Sequence, residues 1–521
     1  MIKDRFMKTT TAVAITQKHS ASKRHLLALL GITLCVAASF QFITSSAQAQ
    51  TRKDSVVLGM ILEPTSLDPT TAPAAAIGEV VHYNILEGLT KINADGSITP
   101  LLAESWVMDA DGKAYTFKLR KGVKFQDGAN FDSAAVKFSF ERAKAEKSTN
   151  KAKGAVFNNI AHISNPDAHT VVLVLNNPDG NFLFRMGENT AVILHPSTAD
   201  AAATKPVGTG PYKLENWSKG SAITLTKWDA YRDAANVKLK RVTFRFINDA
   251  SAQVAALLAG DIDGMPRFQS PQSLKQFQAD KRFVVEMGNT AGKGIMTINN
   301  KKKPFDDVRV RRALSHAIDK KAFIDGVFEG LAKPIGSHMA PTDAGYVDLT
   351  GQYPFDPEKA KALLKEAGVQ TPLNVTLTLP PPPYARKGGE ILAAQLAKVG
   401  IVAKIENVEW AQWLGGTFKG NFDLTVINHV EPLDFMNYAN PQYYWGYDSK
   451  AFRDLATKYS ATTGAKDRTK LFGDMQRMIA NDAVNVFLFN PTNTAVYKKG
   501  LKGLWASSPV FANDMASVSW N

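Results

Sequence analysis

The sequence predicts an α/β protein of two or three lobes, and three observations carry the prediction. The chain has 521 residues, 45% of them apolar, enough to bury more than one lobe's core. Strand signals fill the first half, and from about residue 305 amphipathic helices alternate with short apolar strands, the rhythm of an α/β architecture. Cys35 is the only cysteine, so no intramolecular disulfide can form and stability must come from burial.

In chain order, the first element is a leader. Lys23 and Arg24 precede the apolar run 26–40, and Ala47-Gln48-Ala49 supplies small residues at a polar exit. This is the pattern of a secretory signal peptide cleaved after Ala49, because ~15 apolar residues fall short of the ~20 that span a bilayer. The polar exit disfavours an uncleaved anchor, and the mature protein is expected in the periplasm. Lys plus Arg number 62 against 48 Asp plus Glu; six of the bases and one of the acids lie in the leader, leaving +9 on the mature chain. Dispersed bases on an exported protein do not predict a nucleic-acid partner, and Lys301-Lys302-Lys303 reads as a solvated turn.

Tyr115, Phe117 and Leu119 alternate with polar residues, as do Val242, Phe244 and Phe246, and each segment is expected to be a strand with one buried face. The run 171–175 is continuously apolar and suits a strand buried on both faces. Val310, Ala313, Leu314, Ala317, Ile324 and Val327 form a helical stripe that Asp306 or Asp307 caps and Gly330 closes. Asp356, Pro357 and Gly368 punctuate a second helix. Strand 373–379 leads into four prolines, 380–383, which predict a stiff loop carrying Tyr384-Ala385-Arg386 before a helix over 389–399. Segments 402–405 and 424–427 complete the pattern as strands.

A catalytic reading needs a nucleophile with a base, or a metal set. The histidines at 82, 162, 169, 195, 316, 338 and 429 are scattered and form no His-Glu-x-x-His pair; no Gly-x-Ser-x-Gly elbow occurs, and Gly292-Lys293-Gly294 lacks phosphate-loop spacing. The expectation is a protein that is not an enzyme, with no cofactor and no metal.

The blocks Ala103-Glu104-Ser105-Trp106, Asp111-Gly112 through Asp127-Gly128, Val207-Gly208-Thr209-Gly210-Pro211-Tyr212, Lys303-Pro304-Phe305-Asp306-Asp307, and Ala313 through Lys320 together resemble the signature of family 5 extracellular solute-binding proteins. Individually they have structural readings, as turns flanking strands and as glycines placed for chain geometry. Their ordered register carries the resemblance. It implies a two-lobed periplasmic binding protein (type II, cluster C) with an extra subdomain in the first lobe. The implied divisions are a signal peptide 1–49, a first lobe 50–290, a second lobe 293–488, and a return to the first lobe over 489–521. Closure about the crossings would trap a peptide or peptide-like, amino-acid-derived solute and present it to an ABC permease with separate ATPase subunits. Membrane contact would be through that permease only, and a monomer is expected. An oligosaccharide receptor, or a periplasmic chaperone or sensory receptor on the same fold, are the alternatives.

The segment 428–434 follows an apolar strand, where α/β proteins present ligand contacts. Asn428 matches the position from which an acid in peptide-binding relatives pairs with the α-ammonium group, so here either Glu431 or Asp434 compensates or the solute lacks that group. Both acids have the alternative role of bracing the loop, and His429 is either a contact or a structural histidine. Arg386 resembles the arginine that dipeptide-binding relatives offer to the ligand carboxylate, and is otherwise a surface group. Trp410, Trp413, Tyr443 and Tyr444, with Trp445 and Tyr447, could wall the ligand or pack in the core. Glu63 is the first-lobe candidate.

Overall fold

One long strand, Asn485–Lys498, organises the sheet. Its sequence places two runs rich in β-formers on either side of Asn490-Pro491, and each run finds different neighbours. The first pairs antiparallel with Lys293–Ile298 and Ala332–Pro334, the second with Phe283–Asn289 and Gly264–Met265. From the first run the sheet continues through Leu424–His429, Leu373–Leu379 and Ile401–Asn407. From the second it continues through Ser55–Met60, Arg241–Phe246, Ala222–Lys227 and Tyr212–Ser218. This computed structural model describes residues 54–343, 345–462 and 464–521; the leader and its Ala49 boundary lie outside them. Among the described residues, no helix is long and apolar enough to cross a membrane.

Each lobe packs a large buried cluster along this sheet. Val56, Leu58, Val80, Leu225, Phe244 and Met515 fill the first; Met296, Val310, Leu314, Leu377, Leu392 and Leu488 fill the second. A separate four-stranded antiparallel sheet, in the order Ala103–Met108, Ala114–Leu119, Thr170–Leu175, Ile160–Asp167, packs on helix Ser133–Lys144 around Phe117, Phe140 and Leu173. This is the extra subdomain. Two passages, 289–293 and 490–494, meet where the long strand changes neighbours, and they are tied: Thr290 Oγ1 donates to the Pro491 carbonyl at 2.9 Å, and Asn490 Nδ2 to the Gly292 carbonyl at 2.6 Å.

Three elements differ from their sequence reading. Thr170–Leu175 alternates buried and half-buried residues, because one face meets the helix while the other is only partly covered; an unbroken Val/Leu run hides that alternation. The stripe 310–328 is two helices, Val308–Ala317 and Lys320–Phe328, since Asp319 caps the second by accepting from Ala322 N at 2.9 Å. Asp307 caps the first in the same way, at 2.8 Å from Arg309 N. The proline loop is shorter than expected, because Pro383 occupies the first turn of helix Pro383–Ala397, where its missing N–H costs no hydrogen bond. Tyr384 and Arg386 therefore sit on a helix, pointing in different directions.

The glycines of Val207-Gly208-Thr209-Gly210 serve close packing. A Cβ at Gly208 would lie 1.9 Å from the Ile85 carbonyl oxygen, and one at Gly210 2.5 Å from that of Asn84. Backbone cannot yield as a side chain can. Gly208→Ala is expected to lower unfolding free energy by about 3 kcal/mol, measured by urea denaturation. Gly154→Ala, where a Cβ meets nothing within 4 Å, is the control, expected within about 0.5 kcal/mol of wild type.

Candidate functional site

A cavity of about 470 Å3 opens where the two passages cross, within the range of small-ligand sites. Its floor is Thr290–Gly292 and Pro491–Thr494. The first lobe contributes Ile61, Phe268, Val510 and Phe511; the second contributes Val327, Phe328, Leu331 and Tyr384. These apolar walls are interrupted by His82, Lys151, Glu188, Asn189 and Arg267 from the first lobe and Asn428 from the second. Apolar walls with a few fixed polar groups suit a small solute carrying both kinds of surface.

Asn428 is the one sequence-stated candidate on this lining. Its backbone N–H donates to Tyr384 Oη at 3.0 Å, while its side-chain Oδ1 is buried with no protein partner. Burial raises the Tyr384 hydroxyl to about 12, so it stays protonated.

The neighbouring positions turn away because side chains alternate along strand Leu424–His429. His429 is buried: its Nδ1 lies 2.9 Å from Asp434 Oδ2 and its Nε2 2.9 Å from Tyr444 Oη. Asp434 also forms an ion pair with Lys293 Nζ at 2.8 Å and bonds His338 Nε2 at 3.1 Å. Burial alone would raise the Asp434 carboxyl; Lys293, His338 and His429 more than offset it and hold the group well below the usual carboxylate range. Burial lowers His338 to about 4, so the ring is neutral at pH 7. The donor set His338, His429 and Asp434 is compact enough for a metal ion, yet each ring nitrogen already has an oxygen partner, His338 Nδ1 meeting Tyr438 Oη at 3.1 Å. The imidazoles are thus held by hydrogen bonds, and Asp434 Oδ1 by the Lys293 ion pair.

The remaining candidates lie off the cavity lining. Glu431 is exposed; its carboxylate accepts from Val430 N at 3.2 Å, and its carbonyl accepts from Lys293 Nζ at 2.7 Å. Arg386 pairs with Glu409 at 3.1 Å, because the early helix start turns it toward the end of strand Ile401–Asn407. Trp413 is buried with Nε1 on Thr425 Oγ1 at 3.0 Å, and half-exposed Trp410 stands edge-on to it. Tyr444 is core, bonded to Thr297 and His429, and Tyr443 packs on Tyr444 and Trp445. Glu63 accepts from Trp217 Nε1 at 2.9 Å and Gly220 N at 3.0 Å, bracing a hairpin.

The polar first-lobe lining escaped the sequence reading. His82 is fully buried, stacked on Tyr83 at 3.8 Å, with neither ring nitrogen hydrogen-bonded; burial lowers it to about 3. Arg267 is braced, donating to Asn513 Oδ1 and Ser508 Oγ at 3.1 Å each and lying 3.5 Å from Glu79. Glu188 precedes a single turn, Asn189–Ala191, without capping it. These residues come from sequence-distant loops that carry no motif, and only the fold assembles them.

Two α/β lobes sharing one continuous sheet, with a solute-sized cavity at their crossings, define a ligand-binding receptor. The family model for bacterial extracellular solute-binding proteins, family 5 (middle region), matches residues 97–451, and the chain belongs to that family. It is similar to the dipeptide-binding protein of Escherichia coli, with 30% identity over 97% of this chain and 99% of that protein. Among solved structures, it is similar to the ABC transporter-associated periplasmic binding protein DppA from Helicobacter pylori in complex with the peptide STSA. Identity there is 29%, the TM-score is 0.76, and the match covers 91% of this chain and 99% of that one. The PBP AgaA from A. tumefaciens, in complex with agropinic acid, is 27% identical with a TM-score of 0.76, covering 90% of this chain and 99% of that one.

Proposed function

We propose that the protein is the periplasmic substrate-binding component of an ABC importer. It captures a peptide or peptide-like, amino-acid-derived solute by lobe closure and delivers it to a membrane permease driven by separate ATPase subunits. The observation that carries this reading is the cavity at the crossings, walled by both lobes, since a ligand gripped from two sides stabilises the closed form. In this reading residues 1–49 are removed on export, 50–290 and 489–521 act as one lobe, 293–488 as the other, and the receptor works as a monomer without covalent chemistry. Its similarity to a dipeptide-binding protein and to a receptor holding the peptide STSA supports a peptide-like solute. The aromatics named from the sequence for a sugar face, Trp413 and Tyr444, lie in a second-lobe core, and the similarity to peptide-binding proteins favours a peptide-like solute over an oligosaccharide.

Native mass spectrometry of protein purified from its own host is expected to show a retained small solute. Adding that solute, or a matching dipeptide or tripeptide, at 100 times its Kd is expected to stabilise the fold by about 2.7 kcal/mol and to shrink the radius of gyration in small-angle scattering. Absence of any retained or added peptide-like ligand would sink the reading. Binding of unfolded clients with no small ligand would favour a chaperone.

A further inference from the structure

A recognised ammonium group needs a counter-charge, and the segment 428–434 does not offer one to the cavity. Asn428 is neutral, both oxygens of Asp434 face Lys293, His338 and His429, and Glu431 is off the lining. One carboxylate does line the cavity, that of Glu188, contributed by the first lobe. Among the described residues it makes no side-chain hydrogen bond or ion pair. Burial raises its carboxyl above the ordinary value, with Arg185 and Lys151 pulling the other way. A carboxylate kept unpaired and partly desolvated in a cavity costs stability unless a ligand cation joins it.

Resting on the function proposed above, we infer that Glu188 is the residue that binds the cationic nitrogen of the solute, while the lining from strand Leu424–His429 offers only the neutral Asn428. Two observations meet in this assignment: Glu188 is, among the described residues, the one carboxylate on the cavity lining, and segment 428–434 has its other acid, Asp434, already held by Lys293 and two histidines. The solute class is therefore an amine-bearing peptide or amino-acid conjugate. The charge contact moves to the first lobe, and the second lobe closes over the solute with uncharged groups.

The experiment presents purified wild type and Glu188→Gln with a library of free dipeptides and tripeptides and the same library N-acetylated, reading retained species by native mass spectrometry and affinities by calorimetry. Wild type is expected to prefer free-amine members by roughly 10- to 100-fold, and Glu188→Gln to lose that preference while binding acetylated members as before. The preference of wild type should fade as pH falls through the raised Glu188 value, whereas the variant's profile should be flat. Ligand-free Glu188→Gln should be at least as stable as wild type at pH 7: the native carboxyl holds its proton to higher pH than the unfolded one, so ionisation subtracts stability as pH rises. An undiminished amine preference in Glu188→Gln, or acetylated peptides favoured by wild type, overturns the assignment and leaves peptide binding standing. Retention of no member by wild type overturns both.

Discussion

Replacing Lys293 by methionine is expected to destabilise the protein by about 3–5 kcal/mol at pH 7, the cost of stranding one member of a buried ion pair. Lys293 is 4% exposed and Asp434 7%, so neither charge can turn to water. Without the ammonium, Asp434 keeps only the two imidazoles, and protonating one of them would cost much of what it restores. The pH dependence gives a second readout. In wild type the native Asp434 pKa is depressed, so its contribution is complete above the unfolded carboxylate value and is lost as pH falls toward the native one. His338 adds in the same direction: lowered to about 4 when folded against 6.5 for the ordinary group, it contributes stability above 6.5 that is lost as pH falls through that interval. In Lys293→Met the Asp434 carboxyl can take a proton, so the mutational cost should shrink as the solution is acidified. Urea denaturation at pH 7 and pH 4.5 checks both. A cost under about 1 kcal/mol at pH 7, in the range of exposed pairs, would show that the pair is not load-sharing.

Arg232→Leu is expected to cost a similar amount in the first lobe. Glu87 is 2% exposed at its side chain and accepts from both terminal nitrogens of Arg232, at 2.6 and 2.7 Å. It also accepts from Thr209 Oγ1 at 2.8 Å. Bidentate geometry and burial make this a strong pair, and its loss leaves a carboxylate with hydroxyl donors only, for about 3–5 kcal/mol. Glu87→Leu combined with Arg232→Leu removes both charges and should recover a large part of that loss, because matched apolar groups often replace a buried pair at little cost. Additive single-mutant effects would contradict direct pairing. Thr209 belongs to the Gly208–Gly210 turn, so the motif that marks the family here fastens a loop to a buried acid and lies off the cavity lining.

Local punctuation was legible in the sequence. Asp307, Asp356 and Gly368 sit where capping chemistry places them, and strand 373–379 has the expected limits. The break at Asp319 was hidden because the apolar stripe continues in phase across it. The site was legible only at Asn428, since strand-end position is a local property. Arg386 illustrates the opposite case: four prolines read as a loop, and one of them starting a helix redirects the side chain toward Glu409. Glu188, His82 and Phe511 could not be read at all, because their neighbourhood depends on pairings between segments more than a hundred residues apart.

The long strand Asn485–Lys498 also has a consequence for biosynthesis. It lies between Lys293–Ile298 and Gly264–Met265 in the sheet, yet it follows both of them in the chain. Until it emerges, the two halves of the sheet have no shared middle strand, and a stalled or truncated nascent chain exposes open strand edges on both. Joining of the two halves is thus tied to synthesis of this one strand, which both of them share.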